Sequence, residues 1–211
     1  MRKYDAVIFD LDGVICSTDE YHYLAWKELA DSLALPFDRQ YNNKLRGVSR
    51  LESLNLILAL GERQYSDEEK QAMAQKKNDT YRRLLEKMSP ADVSDDVLST
   101  LNELKRKYPL AIGSSSRNTK FILSRIGLAD FFDAVIDGND ISASKPDPEV
   151  FLKAADALSQ RPSSCLVVED AAAGIEAAVR GGFDSAGIGD ASRLESATYH
   201  IGRLSDLLDI L

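Results

Sequence analysis

The sequence predicts an α/β fold, an open and mostly parallel sheet with a helical insert after its first strand. Three observations predict it. A short apolar run, Ala6-Val7-Ile8-Phe9, ends abruptly at Asp10-Leu11-Asp12-Gly13. Helical patterns alone then occupy roughly seventy residues. Beyond Pro90, short apolar runs alternate with helical patterns, the rhythm of a parallel sheet joined by right-handed crossovers.

The opening run is continuous rather than alternating, and so reads as a strand buried on both faces. In the insert, Ser17 with Glu20 offers a capping box ahead of Trp26, Leu29, Ala30 and Leu33, before Pro36. The same signal recurs at Ser49 and Glu52 before Leu54, Ile57 and Leu58, with Gly61 as a stop. It recurs again at Ser66 and Glu69, before Met73, Tyr81, Leu84, Leu85 and Met88. Beyond Pro90 the pattern predicts a helix over Val97–Tyr108, a strand over Leu110–Gly113 and a helix from about Asn118. A strand at Ala134–Ile136, a helix at Pro148–Leu158 and a strand at Cys165–Val168 come next. A helix at Ala173–Arg180, closed by Gly181-Gly182, and a weaker strand at Ser185–Ile188 complete the series. The expected division is an α/β core of residues 1–15 and 91–211 interrupted by a helical cap of residues 16–90.

Composition bounds the function. The 211 residues suffice for a core domain and a smaller insert, with a globular balance of 44% apolar and 28% charged residues. A net charge of −8 speaks against nucleic acid or an anionic membrane as partner. Phosphates remain open to it wherever basic groups converge locally. Cys16 and Cys165 form no metal-type cluster and are expected reduced and buried, in the cytoplasm. The charged opening is unlike a signal peptide, and no apolar run reaches the ~18 residues of a membrane span. A monomer is the default expectation.

Ligands of open α/β sheets bind beyond the carboxyl ends of the strands. There this sequence places Asp10 and Asp12, then Ser114-Ser115-Ser116-Arg117-Asn118, then Ser144-Lys145-Pro146, then Glu169-Asp170. Alone, each piece has a plain reading as a turn, a surface loop or an acidic helix start. Together they place four carboxylates, a lysine and several hydroxyls in one crevice. Such carboxylates repel unless a cation neutralises them, and a hard, oxygen-ligated ion such as Mg²⁺ fits. A carboxylate can attack phosphorus and divide one difficult transfer into two easier ones. Lys145 and the Ser114 hydroxyl can then stabilise the transferring phosphoryl oxygens. On an extended stretch Asp10 and Asp12 point the same way, which would set Asp12 beside the leaving or attacking oxygen as general acid/base.

These segments resemble the four motifs of the haloacid dehalogenase superfamily: Asp10-Leu11-Asp12-Gly13-Val14, the serine after the next core strand, Lys145-Pro146, and Glu169-Asp170. The resemblance spans essentially the whole chain. It implies phosphoryl transfer, with Asp10 as nucleophile, Asp12 as acid/base, and Mg²⁺ held by Asp10, the Asp12 backbone carbonyl, Glu169 and Asp170. The insert resembles the cap of the β-phosphoglucomutase family at Thr18-Asp19-Glu20-Tyr21-His22, at Ala25-Trp26-Lys27, at Leu45-Arg46-Gly47-Val48-Ser49-Arg50 and at Lys76-Lys77-Asn78-Asp79. In that family the segment from Arg46 through Gly47, Val48 and Ser49 to Arg50 closes over a sugar phosphate. Arg50 grips the phosphate that is not transferred, and Ser116, Arg117 and Asn118 meet it from the core side. His22 and Lys77 link cap closure to the sugar and the acid/base. Thr18 and Trp26 belong to the same binding set, although Trp26 also reads as cap core. Arg46 and Arg117 replace the lysines of the characterised enzymes, exchanging a point charge for a planar fork.

The resemblance thus implies an isomerase that converts β-glucose 1-phosphate to glucose 6-phosphate through a phospho-aspartate and a glucose 1,6-bisphosphate. A sugar-phosphate phosphatase is the alternative within the same chemistry, since water reaching the acyl phosphate would hydrolyse it. A phospho-accepting receiver domain is the alternative of another class, but receivers are shorter and lack an inserted cap. An idle sugar-phosphate binder is a third, and it conflicts with the presence of every expected catalytic residue type.

Overall fold

The computed structural model describes residues 3–45 and 49–211. It divides into two compact units, Met1–Ser17 with Met88–Leu211, and Thr18–Lys87. The first is an open sheet of six parallel strands in the order β3-β2-β1-β4-β5-β6. These are β1 (Ala6–Phe9), β2 (Leu110–Gly113), β3 (Ala134–Ile136), β4 (Cys165–Glu169), β5 (Asp184–Gly187) and β6 (Tyr199–His200). β1 lies at the centre, pairing Ile8 with Ala111 on one side and with Val167 on the other.

Both faces of the sheet are buried, which is why its strands read as unbroken apolar runs. On one face Ala6, Ile8, Ala111, Cys165 and Val167 pack against Val150, Phe151, Ala154, Ala177 and Ala178. Those residues come from α7 (Glu149–Ala157) and α8 (Ala172–Arg180). The alternate residues Val7, Phe9, Ile112, Leu166 and Val168 are also fully buried. Two further helices, α5 (Asp95–Lys105) and α6 (Thr119–Arg125), complete the crossovers. Each fully buried Leu, Ile or Phe contributes about 1.5–3 kcal/mol over an exposed one, so this sheet is the main source of the unit's stability.

The helical unit contains α1 (Asp19–Ser32), α2 (Arg39–Asn42), α3 (Arg50–Leu58) and α4 (Asp67–Leu85). Its core gathers Trp26, Leu29, Ala30, Phe37, Leu54, Ile57 and Leu58. α4 starts in the capping box expected of Ser66 and Glu69. The expected box at Ser17 and Glu20 does not form. Thr18 occupies the N-cap of α1 instead, and its hydroxyl accepts from Tyr81 rather than from the helix. The one-turn α2 is too short to show periodicity, and β6 is a two-residue edge strand.

Candidate active site

Asp10 leaves β1 with its N–H still donating to Val168 O at 2.9 Å, so it emerges beside the end of β4. Glu169 is the last residue of β4, and Asp170 follows it. Lys145 arrives from the loop ahead of α7, and its Nζ lies 2.5 Å from Asp10 Oδ1 and 2.7 Å from Glu169 Oε1. All three side chains are at most 10% exposed. The second oxygen of Glu169 accepts from the Ala171 N–H at 2.8 Å. The crevice is crowded enough to need glycine. A Cβ at Gly174 would fall 1.9 Å from Glu169 Oε1, and one at Gly13, where φ is +79°, 2.0 Å from Asp170 Oδ2.

Burial drives the Asp10 carboxyl up to about 7; Lys145 opposes the shift, while Glu169 and Asp12 add to it. Burial, then repulsion from Glu169, Asp10 and Asp12, lifts Asp170 to about 8. Burial works against the Lys145 charge, but Asp10 and Glu169 outweigh it and hold its pKa above the ordinary lysine value. Ligand oxygens of Asp10, Glu169 and Asp170 all lie within 4.8 Å of one another. Such a trio holds more negative charge than one ammonium balances, and its donors are hard oxygens, so it suits a divalent, oxygen-ligated cation. The half-buried Asp12 carboxyl is outside this trio, in a tight loop where Gly13 N–H donates to Cys16 O at 2.8 Å. Both cysteines are unpaired and buried.

Next to β1, the end of β2 carries a ladder of hydroxyls. Ser114 is buried, and its N–H continues the sheet to Ile136 O at 3.1 Å. Its Oγ accepts from Ser116 N–H at 3.2 Å, which leaves the O–H as a donor for a ligand. Ser116 Oγ accepts in turn from Asn118 N–H at 3.2 Å. Asn118 is buried and Arg117 is exposed. Two further contributors, Gly138 and Asn139, have no local sequence signal, and Ser115 of the polar run reaches the Lys145 loop. Gly138 N–H donates to Ser116 O at 3.1 Å, Asn139 Nδ2 donates to Arg117 O at 3.1 Å, and Ser115 Oγ accepts from Lys145 N–H at 3.2 Å.

In the helical unit, Lys77 Nζ lies 2.8 Å from His22 Nδ1. The Lys77 ammonium sits 4.5 Å from the centroid of Trp26 and 4.6 Å from that of Tyr81. The His22 and Tyr81 rings lie 4.0 Å apart, and Tyr81 Oη donates to Thr18 Oγ1 at 2.9 Å. Burial, then the charges of Lys77 and Arg50, hold the His22 pKa well below its ordinary value. The imidazole is therefore neutral, accepting a hydrogen bond from the Lys77 ammonium at Nδ1 and carrying its own proton on Nε2. Trp26 is buried in the helical core, and Ser49 caps α3 by accepting from Glu52 N–H at 3.3 Å. Arg50 is the first residue of α3. Arg46, Gly47 and Val48 lie outside the described residues.

Residues 4–182 match the haloacid dehalogenase-like hydrolase family. A β-phosphoglucomutase of Bacillus subtilis is 42% identical over 205 residues, covering 96% of this chain and 91% of that protein. A fructose-1-phosphate phosphatase of Escherichia coli is 32% identical, covering 87% of this chain and 96% of its own length. Among solved structures, a β-phosphoglucomutase of Clostridium difficile superposes with a TM-score of 0.88 at 37% identity, covering 97% of this chain and 93% of that one.

Proposed function

This chain belongs to the haloacid dehalogenase-like hydrolase family, and from that premise we propose that it is a phosphomutase converting β-glucose 1-phosphate to glucose 6-phosphate. The Lys145 bridge between Asp10 and Glu169, beside Asp170, is the observation that carries the phosphoryl-transfer reading. The choice of mutase follows the relative of 42% identity over 96% of the chain, against 32% for the phosphatase.

Asp10 acts as nucleophile. Phosphorylated Asp10 gives its phosphoryl group to the free hydroxyl of glucose 1-phosphate while Asp12 takes that hydroxyl's proton, which forms glucose 1,6-bisphosphate and frees the Asp10 carboxylate. The bisphosphate turns around, the Asp10 oxygen attacks the other phosphorus, the bond from that phosphorus to the sugar oxygen breaks, and Asp12 returns the proton to the departing oxygen. Lys145 and the Ser114 O–H balance charge on the transferring oxygens. Asp10, the Asp12 carbonyl, Glu169 and Asp170 would hold Mg²⁺, which supplies further neutralisation of phosphate charge. A cation held there would also favour the ionised Asp10 carboxylate that attacks. From the sheet unit, Ser116, Arg117 and Asn118 bind the phosphate that is not transferred, and the family resemblance assigns Arg46, Gly47, Val48, Ser49 and Arg50 of the helical unit to phosphate binding. His22, Lys77, Thr18 and Trp26 shape the helical unit's share of sugar recognition. The protein acts as a cytoplasmic monomer.

The test is product analysis on β-glucose 1-phosphate with Mg²⁺ and a trace of glucose 1,6-bisphosphate, with Asp10→Asn as blank. Glucose 6-phosphate should form quickly with little free phosphate. Free phosphate as the dominant product would replace the mutase by a sugar-phosphate phosphatase. Neither product above the blank would exclude glucose phosphate as the substrate.

A further inference from the structure

Lysine carries its charge on a flexible four-carbon stem, so fixing Lys145 Nζ between two carboxylates requires a fixed backbone. The loop ahead of α7 is held from both sides. Glu149, the first residue of α7, turns back over it. Glu149 Oε2 accepts from Ser142 N–H at 2.8 Å, Ser142 Oγ–H at 2.8 Å and Ala143 N–H at 2.9 Å. Its other oxygen pairs with Lys153 at 2.6 Å, and Lys153 also donates to Asp140 O at 2.6 Å. On the far side, Lys145 N–H donates to Ser115 Oγ at 3.2 Å. Only Ser144 separates the two anchors.

The same helix supports the ammonium from below. Lys145 Nζ lies 4.5 Å from the centroid of the Phe151 ring. That ring packs edge-on to Phe183 and against Gly113, where a Cβ would come within 2.8 Å of Phe151 Cδ1. The Lys153 ammonium, then the Ala143 and Ser142 donors, hold the Glu149 carboxyl at about 2, so the anchor is ionised at any working pH.

We propose that Glu149 and Ser115 are positioning residues that set Lys145 Nζ between Asp10 and Glu169 for phosphoryl transfer. The proposal rests on the phospho-Asp10 chemistry above and not on the identity of the sugar. It is tested by single-turnover phosphorylation of the whole protein by acetyl phosphate with Mg²⁺. Glu149→Ala and Ser115→Ala should each slow the saturated rate by about 10- to 100-fold, the scale of an ångström of misplacement, without changing the half-saturating concentration. Glu149→Gln keeps an acceptor oxygen but loses charge, and should cost only about 3-fold. On a Lys145→Ala background neither alanine variant should slow the reaction further, because the group it positions is gone. Thermal unfolding checks that each variant is folded, and Ser115→Ala carries the test if Glu149→Ala is not. Wild-type rates in a folded Ser115→Ala or Glu149→Ala would overturn the proposal. Losses that multiply with Lys145→Ala would do the same, since a general structural defect adds independently. A wild-type protein that accepts no phosphoryl group would instead overturn the chemistry beneath it.

Discussion

Both units of this molecule bury a lysine, in different company. Lys145 in the sheet unit lies between Asp10 and Glu169, with the Phe151 ring below. Lys77 in the helical unit is 3% exposed and faces a neutral imidazole and the rings of Trp26 and Tyr81. Carboxylates respond to an arriving cation or phosphate, so the Lys145 cluster is suited to changes of charge during a reaction. A ring face or an imidazole lone pair gives an ammonium a fixed seat, worth up to about 2 kcal/mol per ring when desolvated. That seat suppresses protonation next to it. On the proposed function the first lysine serves the chemistry, while the second sets the tautomer of a neighbour.

The sharpest way to break this comparison is to remove each charge in turn. Lys145→Ala should slow Asp10 phosphorylation by about 10³-fold, the scale of losing one transition-state electrostatic partner. Lys77→Met should slow it by less than about 10-fold, yet return the His22 pKa toward its ordinary value, read from the histidine ring protons by NMR. Equal rate losses would erase the distinction.

Next in size is the response of stability to pH. Asp10 and Asp170 titrate at about 7 and about 8 in the folded chain, against 3.8 ordinarily, so without a cation the folded state binds more protons through that window. Stability should then fall as pH rises from about 4 to about 8. Mg²⁺ should accordingly raise the melting temperature more at pH 8 than at pH 5, and a uniform shift would argue against a cation in the carboxylate trio. His22 works in the opposite direction. Its folded pKa is depressed, so its contribution is present above the ordinary histidine value and lost as pH falls below it. His22→Gln should flatten that acid-side decline in calorimetry. The smallest effect is confined to the helical framework: Ser66→Ala, which opens the α4 capping box, should cost about 1 kcal/mol and leave Asp10 phosphorylation unchanged.

How much was legible beforehand follows from the range of the interactions involved. Strands β1, β2 and β4 announced themselves because both of their faces are buried, and the polar residues ending them stood in order along the chain. Fold class was therefore readable at once. Ser17 and Glu20 satisfied the local capping pattern but lost to Thr18, because what decides that helix start is a tertiary bond to Tyr81. β6 is two residues of sheet edge and carries no period. The contacts of Ser115 with Lys145 and of Asn139 with Arg117 join loops that only the sheet order makes neighbours. No spacing rule could have reported them. Glu149 was a middle case, since an acid at a helix start has an ordinary explanation in the helix dipole.

The central place of β1 has a consequence for how the chain acquires its fold. The strand that presents Asp10 is made before the other strands of the sheet, and its partners β2 and β4 lie roughly 100 and 160 residues downstream, where loop-closure entropy is large and pairing is slow. At synthesis rates of about 5–20 residues per second, an apolar ribbon with two unsatisfied edges waits about 5 to 30 s for neighbours. During that interval the helical residues between Thr18 and Lys87 can already condense around Trp26 and Leu54, shortening the effective loop that β1 must close. The insertion point thus gives the nascent chain something local to fold while its central strand is still alone.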